Sequence, residues 1–286
     1  ALLGAKIVWA DIDPATGNID SNSIEKRITP KTKAIIYVHW SGIPAKIDEI
    51  NALAKKHKIK VIEDAAHALG ALYKGKKIGN HSDFVCYSFQ AIKHLTTADG
   101  GALACKRKED YERAILLRWF GMSREDKKGP TKWEGDVHEP GYKFHMNDLN
   151  ATIGIEQLKH MDGQINKYID NAEYLRKHLQ DVPGITLLRV EKDVKPSYWL
   201  FGLKLKDTAT REQFSQALNE AGIGNGIVHL RNDKYSLFKA FQRTDLPGMD
   251  DFGSRMINIP CGWWLNQEDL DYMVEVIKRT MKKIMN

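Results

Sequence analysis

Apolar and polar positions along this chain follow two periods, and the change from one to the other marks its elements. The runs "AKIVWADI" and "KAIIYVHW" read as strands, the second nearly continuous in apolar residues, as in a strand covered on both sides. "KIDEINALAKKH" then sets Ile47, Ile50, Leu53 and Ala54 on one helical face and leads into the short strand "KVIED". Strand, helix and strand within about thirty residues predict a crossover unit, hence parallel strands with helices over the sheet. "DFVCYSF" and "GALACK" add two strands, and "KEDYERAILLRWFG" adds a helix.

The pattern lapses over residues 121–141, which hold four glycines, two prolines and many charges. A stretch of that length without a period is expected to be either disordered or functional. Periodicity resumes over 146–179, predicting a long helical stretch with an interruption near Gly163. "ITLLRV" and "YWLFGLKL" read as strands. "TREQFSQALNEAG" reads as a helix opened by a capping box of Thr210 and Gln213, and a last helix runs from about Asn266 to Ile284. The order predicts an α/β fold: a large domain over 1–160, with a connecting helix and a smaller α+β domain over 161–286.

Composition narrows the function classes. Of 286 residues, 42% are hydrophobic and 28% charged, the balance of an ordinary globular protein, and no apolar run is long enough to span a membrane. The net charge of +6 is spread over helical faces without an RNA-binding, zinc or helix-turn-helix pattern, so no nucleic-acid partner is expected. The basic balance equally suits an anionic substrate. Three scattered cysteines, Cys86, Cys105 and Cys261, make neither a disulfide framework nor a metal-ligand spacing. A reducing, cytoplasmic compartment and no metal are expected. The opening "ALLGAKIVWADID" lacks an initiator Met and reads as a helix tail running into a strand, so the chain is expected to begin partway through a domain.

In an open parallel sheet, ligands gather at the carboxyl ends of the strands. "KVIEDAAHALGA" puts Asp64 at such an end, and Lys93 lies just beyond "FVCYSF". An amine and a carboxylate meeting there suit pyridoxal 5′-phosphate. That chemistry needs an amine to form a Schiff base (Lys93) and a carboxylate to keep the pyridine nitrogen protonated (Asp64). It also needs a group over the ring or at its phenolic oxygen (His67) and a phosphate donor (Ser88). Gly100 and Gly101 allow close backbone approach. Each residue also has a plainer reading. Asp64 alone suits a helix N-cap, His67 a packing residue, Ser88 an ordinary strand position, and Lys93 a solvated charge. Trp40 and the "GWW" of Gly262–Trp264 read as packing positions before stacking platforms.

"VIEDAAHALGA" followed by "SFQAIKHLTTADGG" resembles the DegT/DnrJ/EryC1/StrS family of sugar aminotransferases, and the likeness continues through "GAKIVWADIDPATGNID", "HWSGIPAKIDEINALAKKH" and "GYKFHMNDLNATIGIEQL". It runs from residue 4 to about 160 and weakens beyond. The resemblance implies a pyridoxal-phosphate-dependent transferase of fold type I, with a mostly parallel sheet, acting on a nucleotide-linked keto-sugar with glutamate as amino donor. It implies Lys93 as Schiff-base former and proton carrier, Asp64 at the ring nitrogen and Ser88 at the phosphate. His67 stands where the family often has Gln. A dehydratase subgroup carries His in place of the lysine; Lys93 therefore favours transamination. The alternatives are a sugar dehydratase and a catalytically silent or incomplete subunit. In "GYKFH", Lys143 replaces the Asn that reaches the neighbouring subunit's phosphate, and His145 replaces an Arg. Lysine still binds phosphate as a point charge. A homodimer is implied, with the 121–145 region reaching across. His229 and Arg231 of "HLRND" fall where the small domain approaches the site, as candidates for a substrate carboxylate or diphosphate. The family has about a hundred residues ahead of this chain's start, including a helix start that binds phosphate through its backbone.

Overall fold

Alternation in the first strands decides which way the sheet faces. The computed structural model describes residues 1–123, 137 and 139–286. Within it, β1 (Ala34–Val38) buries Ile35 and Tyr37, β2 (Lys60–Asp64) buries Val61 and Glu63, and the next sheet strand buries Val85. Side chains two apart share a face, and the register aligns Ile35 with Val61 and Tyr37 with Glu63. Helix α2 (Ile47–His57), which follows the short α1 (Ser21–Glu25), buries Ile47, Ile50 and Ala54, while Leu53 is only partly covered. The opposite face carries Ile36, Ile62, Asp64, Phe84, Cys86, Ser88 and Leu103, of which Ile36 is 64% and Leu103 45% exposed.

The short strands β3 (Leu72–Tyr73) and β4 (Lys76–Lys77) form a hairpin whose other edge pairs with β8 (Val194–Lys195), which lies past β7 (Thr186–Leu187). β5 (Phe84–Ser88) and β6 (Gly101–Cys105) complete a four-stranded sheet in the order β1-β2-β5-β6. β1, β2 and β5 are parallel and β6 is antiparallel. The segment from Phe89 to Gly100 forms no helix to cross over the sheet, and the chain returns beside β5 in the reverse sense.

Helices α3 (Lys108–Leu117), α4 (Asp148–Leu158) and α5 (Met161–Leu179) follow. The predicted helix over 146–179 breaks at residues 159–160, ahead of Gly163, where α5 starts without a side-chain cap. Beyond α5, β9 (Phe201–Lys204) pairs antiparallel with β7 and with β10 (Met256–Ile259), between α6 (Thr208–Glu220), α7 (Pro247–Arg255) and α8 (Gln267–Met285). Tyr168, Leu175, Phe201, Phe214, Ile257 and Ile277 anchor one continuous core there.

Two sequence expectations are corrected. Residues 5–12 form no strand, because only an isolated bridge, Ile12 to Ile19, offers them a ladder partner. Thr210 does not open α6; Asp207 does, its carboxylate accepting the Thr210 N–H at 2.8 Å, so Thr210 is the third helical residue. The capping box occurs instead on α8, where Asn266 and Asp269 satisfy each other's backbone N–H. Most of the 121–141 stretch, residues 124–136 and 138, lies outside the described residues.

Candidate active site

The carboxyl ends of β2 and β5 carry the site. Asp64 and Ser88 end their strands on the face opposite α2. The Asp64 side chain accepts the Ala66 N–H at 3.0 Å, and the chain turns there toward His67. Ser88 Oγ accepts the Gln90 N–H at 3.3 Å, opening the turn that presents Lys93. Gly101 has a packing reason: a Cβ there would lie 2.5 Å from the Tyr87 carbonyl oxygen. At Gly100, with φ +152°, a Cβ would meet the Thr97 hydroxyl at 2.5 Å.

The end of β2 is locked from behind. His39 Nδ1 accepts the Ala45 N–H at 3.0 Å. A backbone N–H can only donate, so the His39 proton sits on Nε2 and is donated to Glu63 Oε2 at 2.8 Å. Both side chains are wholly buried, and the His39 N–H also donates to the Asp64 carbonyl at 3.1 Å.

Lys93 is half-buried, and burial lowers its pKa to about 8 although the nearby Asp64 charge holds it up. Roughly a tenth of such amines are free base at pH 7, against about three in ten thousand for an ordinary lysine. Nζ lies 3.5 Å from the centroid of the Trp199 ring. His67 stacks on the same indole at 3.9 Å. Burial, then the charges of Lys93, His229 and His94, push His67 down to about 2, so it works as a neutral ring. Its Nδ1 is buried with no partner among the described residues. His94 is likewise held down, to about 4, chiefly by burial.

A segment from the C-terminal part ties these loops together. The Ser197 N–H donates to the Gly42 carbonyl at 3.1 Å and its hydroxyl to the His67 carbonyl at 3.2 Å. His94 Nε2 donates to the Ser197 carbonyl at 3.0 Å, and Trp199 Nε1 to the Ile92 carbonyl at 2.8 Å. Gly42, at φ +86°, passes so close that a Cβ would sit 2.7 Å from both the His67 oxygen and the Tyr198 nitrogen. Sequence reading missed His94, Ser197 and Trp199. Adjacency to Lys93 was the one available signal, and it pointed only to His94.

The remaining candidates divide. His229 comes to the site, its ring parallel to that of His67 at 6.4 Å. Arg231 is engaged elsewhere, with a two-pronged bond to Asp233 at 2.9 Å and a second carboxylate, Asp250. Lys143 lies 4.5 Å from the Trp119 ring centroid, bridged to Trp119 through the backbone, and makes no contact with the Lys93 cluster among the described residues. Trp40 packs edge-on against His67 and Phe252. The Cys86 thiol is raised by burial and by Asp64, which leaves it a poor nucleophile.

These residues fit pyridoxal phosphate. The amine, carboxylate and hydroxyl gather at the carboxyl ends of the central strands, and the buried Nδ1 of His67 leaves a hydrogen-bonding capacity that no described residue satisfies. Such a site sets an amine and a carboxylate at the carboxyl end of an α/β sheet. The chain belongs to the DegT/DnrJ/EryC1/StrS aminotransferase family, whose model matches residues 1–278. It is 30% identical to the UDP-4-amino-4,6-dideoxy-N-acetyl-beta-L-altrosamine transaminase of Campylobacter jejuni, covering 99% of this chain and 75% of that protein. Its fold matches the sugar aminotransferase CalS13 from Micromonospora echinospora with a TM-score of 0.91 and 35% identity, over 96% of this chain and 75% of that one. The sugar aminotransferase Spr1654 from Streptococcus pneumoniae, described as putative and solved in its PMP form, matches with a TM-score of 0.92 and 28% identity, over 99% and 78%.

Proposed function

We propose that this protein is a pyridoxal-phosphate-dependent aminotransferase that moves an amino group, from glutamate, onto a nucleotide-linked keto-sugar. The observation that carries the reading is the convergence of Lys93 and Asp64 at one end of the sheet, with the amine brought toward neutrality by burial. Bound there, the cofactor would supply an aldehyde for amine capture and a ring that delocalises an electron pair left at a substrate carbon.

Asp64 would hold a proton at the ring nitrogen, and it keeps its place because His39 and Glu63 lock the end of β2. Lys93 would hold the aldehyde and, once released by the donor amine, carry the donor's proton. A pKa near 8 suits both duties, since the amine is available as free base yet reprotonates readily. His67 offers a neutral ring face and an unsatisfied Nδ1, and the Ser88 hydroxyl donates to phosphate.

The relatives' sugar substrates support the acceptor class, and the intact Lys93 favours transfer over dehydration. His229, facing His67, is placed to meet substrate. Arg231 joins it only by giving up Asp233 and Asp250. Lys143 is assigned to the phosphate of a second copy's cofactor, which makes the working form a homodimer. The reading divides the chain at about residue 160, between α4 and α5.

The test is chemical. Protein incubated with pyridoxal phosphate and then borohydride should carry one cofactor, mapped by peptide mass to Lys93, and lose it in Lys93→Met. The aminated form should then deliver nitrogen to a nucleotide keto-sugar from a panel. Labelling spread over surface lysines would overturn the assignment.

A further inference from the structure

The side chain of Lys93 ends against a ring. Its Nζ lies 3.5 Å from the Trp199 centroid, and no hydrogen bond or ion pair holds that amine among the described residues. The indole is fixed in its turn. Its N–H is bound to the carbonyl of Ile92, the residue before Lys93, and His67 stacks on it. At 6% exposure it is among the buried aromatic residues. The ring and the lysine loop are therefore one rigid unit, although 107 residues separate Ile92 from Trp199.

We propose that Trp199 is the seat of Lys93: its indole face holds the ammonium whenever the amine is not covalently engaged. It thereby fixes the point from which Lys93 attacks and to which it returns. A half-buried ammonium has lost part of its water, and the negative face of an indole, the best of the aromatic faces for a cation, replaces some of that solvation. The four-carbon lysine arm has many rotamers to lose, so a seat next to its working position shortens the search for a productive one. Tryptophan alone among the aromatics combines this face with an N–H that anchors the ring to the lysine's own loop. Trp199 acts through Lys93 and is a positioning residue.

This inference rests on the role given to Lys93 above, but its test uses cofactor-free protein. Mono-, di- and trifluorotryptophan placed specifically at position 199 keep the shape and the N–H while draining the ring face of negative charge. Lys93 ionisation is read by competitive acetylation across pH, followed by peptide mass spectrometry. Asp64, His67 and His94 face the amine and stay unchanged throughout, and His229, which faces His67, is removed by repeating the series in His229→Gln. The midpoint should fall with each fluorine, by about one pH unit across the series. The fluorine resonance at position 199 should titrate with the same midpoint and stop doing so in Lys93→Met. A midpoint that stays flat across the series, or a fluorine titration that survives Lys93→Met, overturns the seat. The two readings fail separately. Cofactor capture at Lys93 with a flat series sinks the seat alone, whereas a fluorine-dependent midpoint without capture sinks the aminotransferase reading alone.

Discussion

An amine that is useful near neutral pH is a burden to the fold that holds it. In the unfolded chain Lys93 keeps its proton up to about 10.5, whereas in the folded chain burial releases it near 8. Below pH 8 both states are protonated, and the folded state bears the full cost of a poorly solvated cation. Between 8 and 10.5 the unfolded chain binds the extra proton, so stability rises with pH through that window. Lys93→Met keeps the length of the side chain and removes the charge. In cofactor-free protein it should stabilise by ~1 kcal/mol at pH 7, a third of what the full shift would give, because the amine is partly solvated and screened. The gain should shrink toward zero by pH 10. Urea unfolding at the two pH values checks this, and a variant less stable than the parent at pH 7 would contradict it. The same burial serves His67 differently: its pKa is held down at about 2, so the ring is neutral in both states at pH 7 and adds no charge cost there, and stability is lost only as pH falls below about 6.5 and the unfolded chain takes up the proton.

At the scale of elements, the site depends on how the end of β2 is held. His39 donates to Glu63 inside a wholly buried pair and binds the Asp64 carbonyl through its backbone. His39→Ala would leave a buried carboxylate without its donor, a loss of about 3–5 kcal/mol. His39→Gln, which keeps an N–H within reach of Glu63, should recover about half of that by urea unfolding. Equal losses for Ala and Gln would show that packing, and not the hydrogen bond, is what His39 provides. The strands and α2 were legible because they are local: burial at Ile35, Val61, Val85, Ile47 and Ile50 follows the periods in the sequence. Asp64, His67, Ser88 and Lys93 were legible for the same reason, since each sits at or just past a strand end. The clamp was not. Ser197 and Trp199 reach His67 and Ile92 across 130 and 107 residues, and no period encodes a contact of that range. The antiparallel turn into β6 and the absence of a ladder over 5–12 beyond the Ile12–Ile19 bridge were hidden likewise, because a strand is defined by its partner. Thr210 misled because Asp207, three residues upstream, caps better than a residue already inside the helix.

The whole molecule presents more apolar surface than a lone chain of this kind should. Helix α4 buries only Gly154, while Leu149 is 79% and Ile155 60% exposed, and Phe144 just before it is exposed as well. Exposed apolar side chains grouped on one helix normally mark a surface that a partner covers. This one is fastened to the lysine loop, with Asn150 donating to the Asp99 carbonyl at 2.7 Å and Gly154 lying against Thr97. A second copy seated on α4 would cover those residues and stand beside Lys93, which joins assembly to the site and gives Lys143 a neighbour to serve. Solvent-facing Leu149 and Ile155 contribute little to the fold of one chain, so Leu149→Glu with Ile155→Glu should leave the far-ultraviolet dichroism unchanged. At an interface the same charges would be buried without partners, at several kcal/mol each. Sedimentation at micromolar concentration should therefore find the parent dimeric and the double variant monomeric. It should also find the variant's uptake of pyridoxal phosphate weakened, since the phosphate loses the contact expected from the neighbouring Lys143. A parent that sediments as a monomer, or a variant that stays dimeric, would place the contact on another surface, of which the open sheet face around Ile36 and Leu103 is the next to mutate.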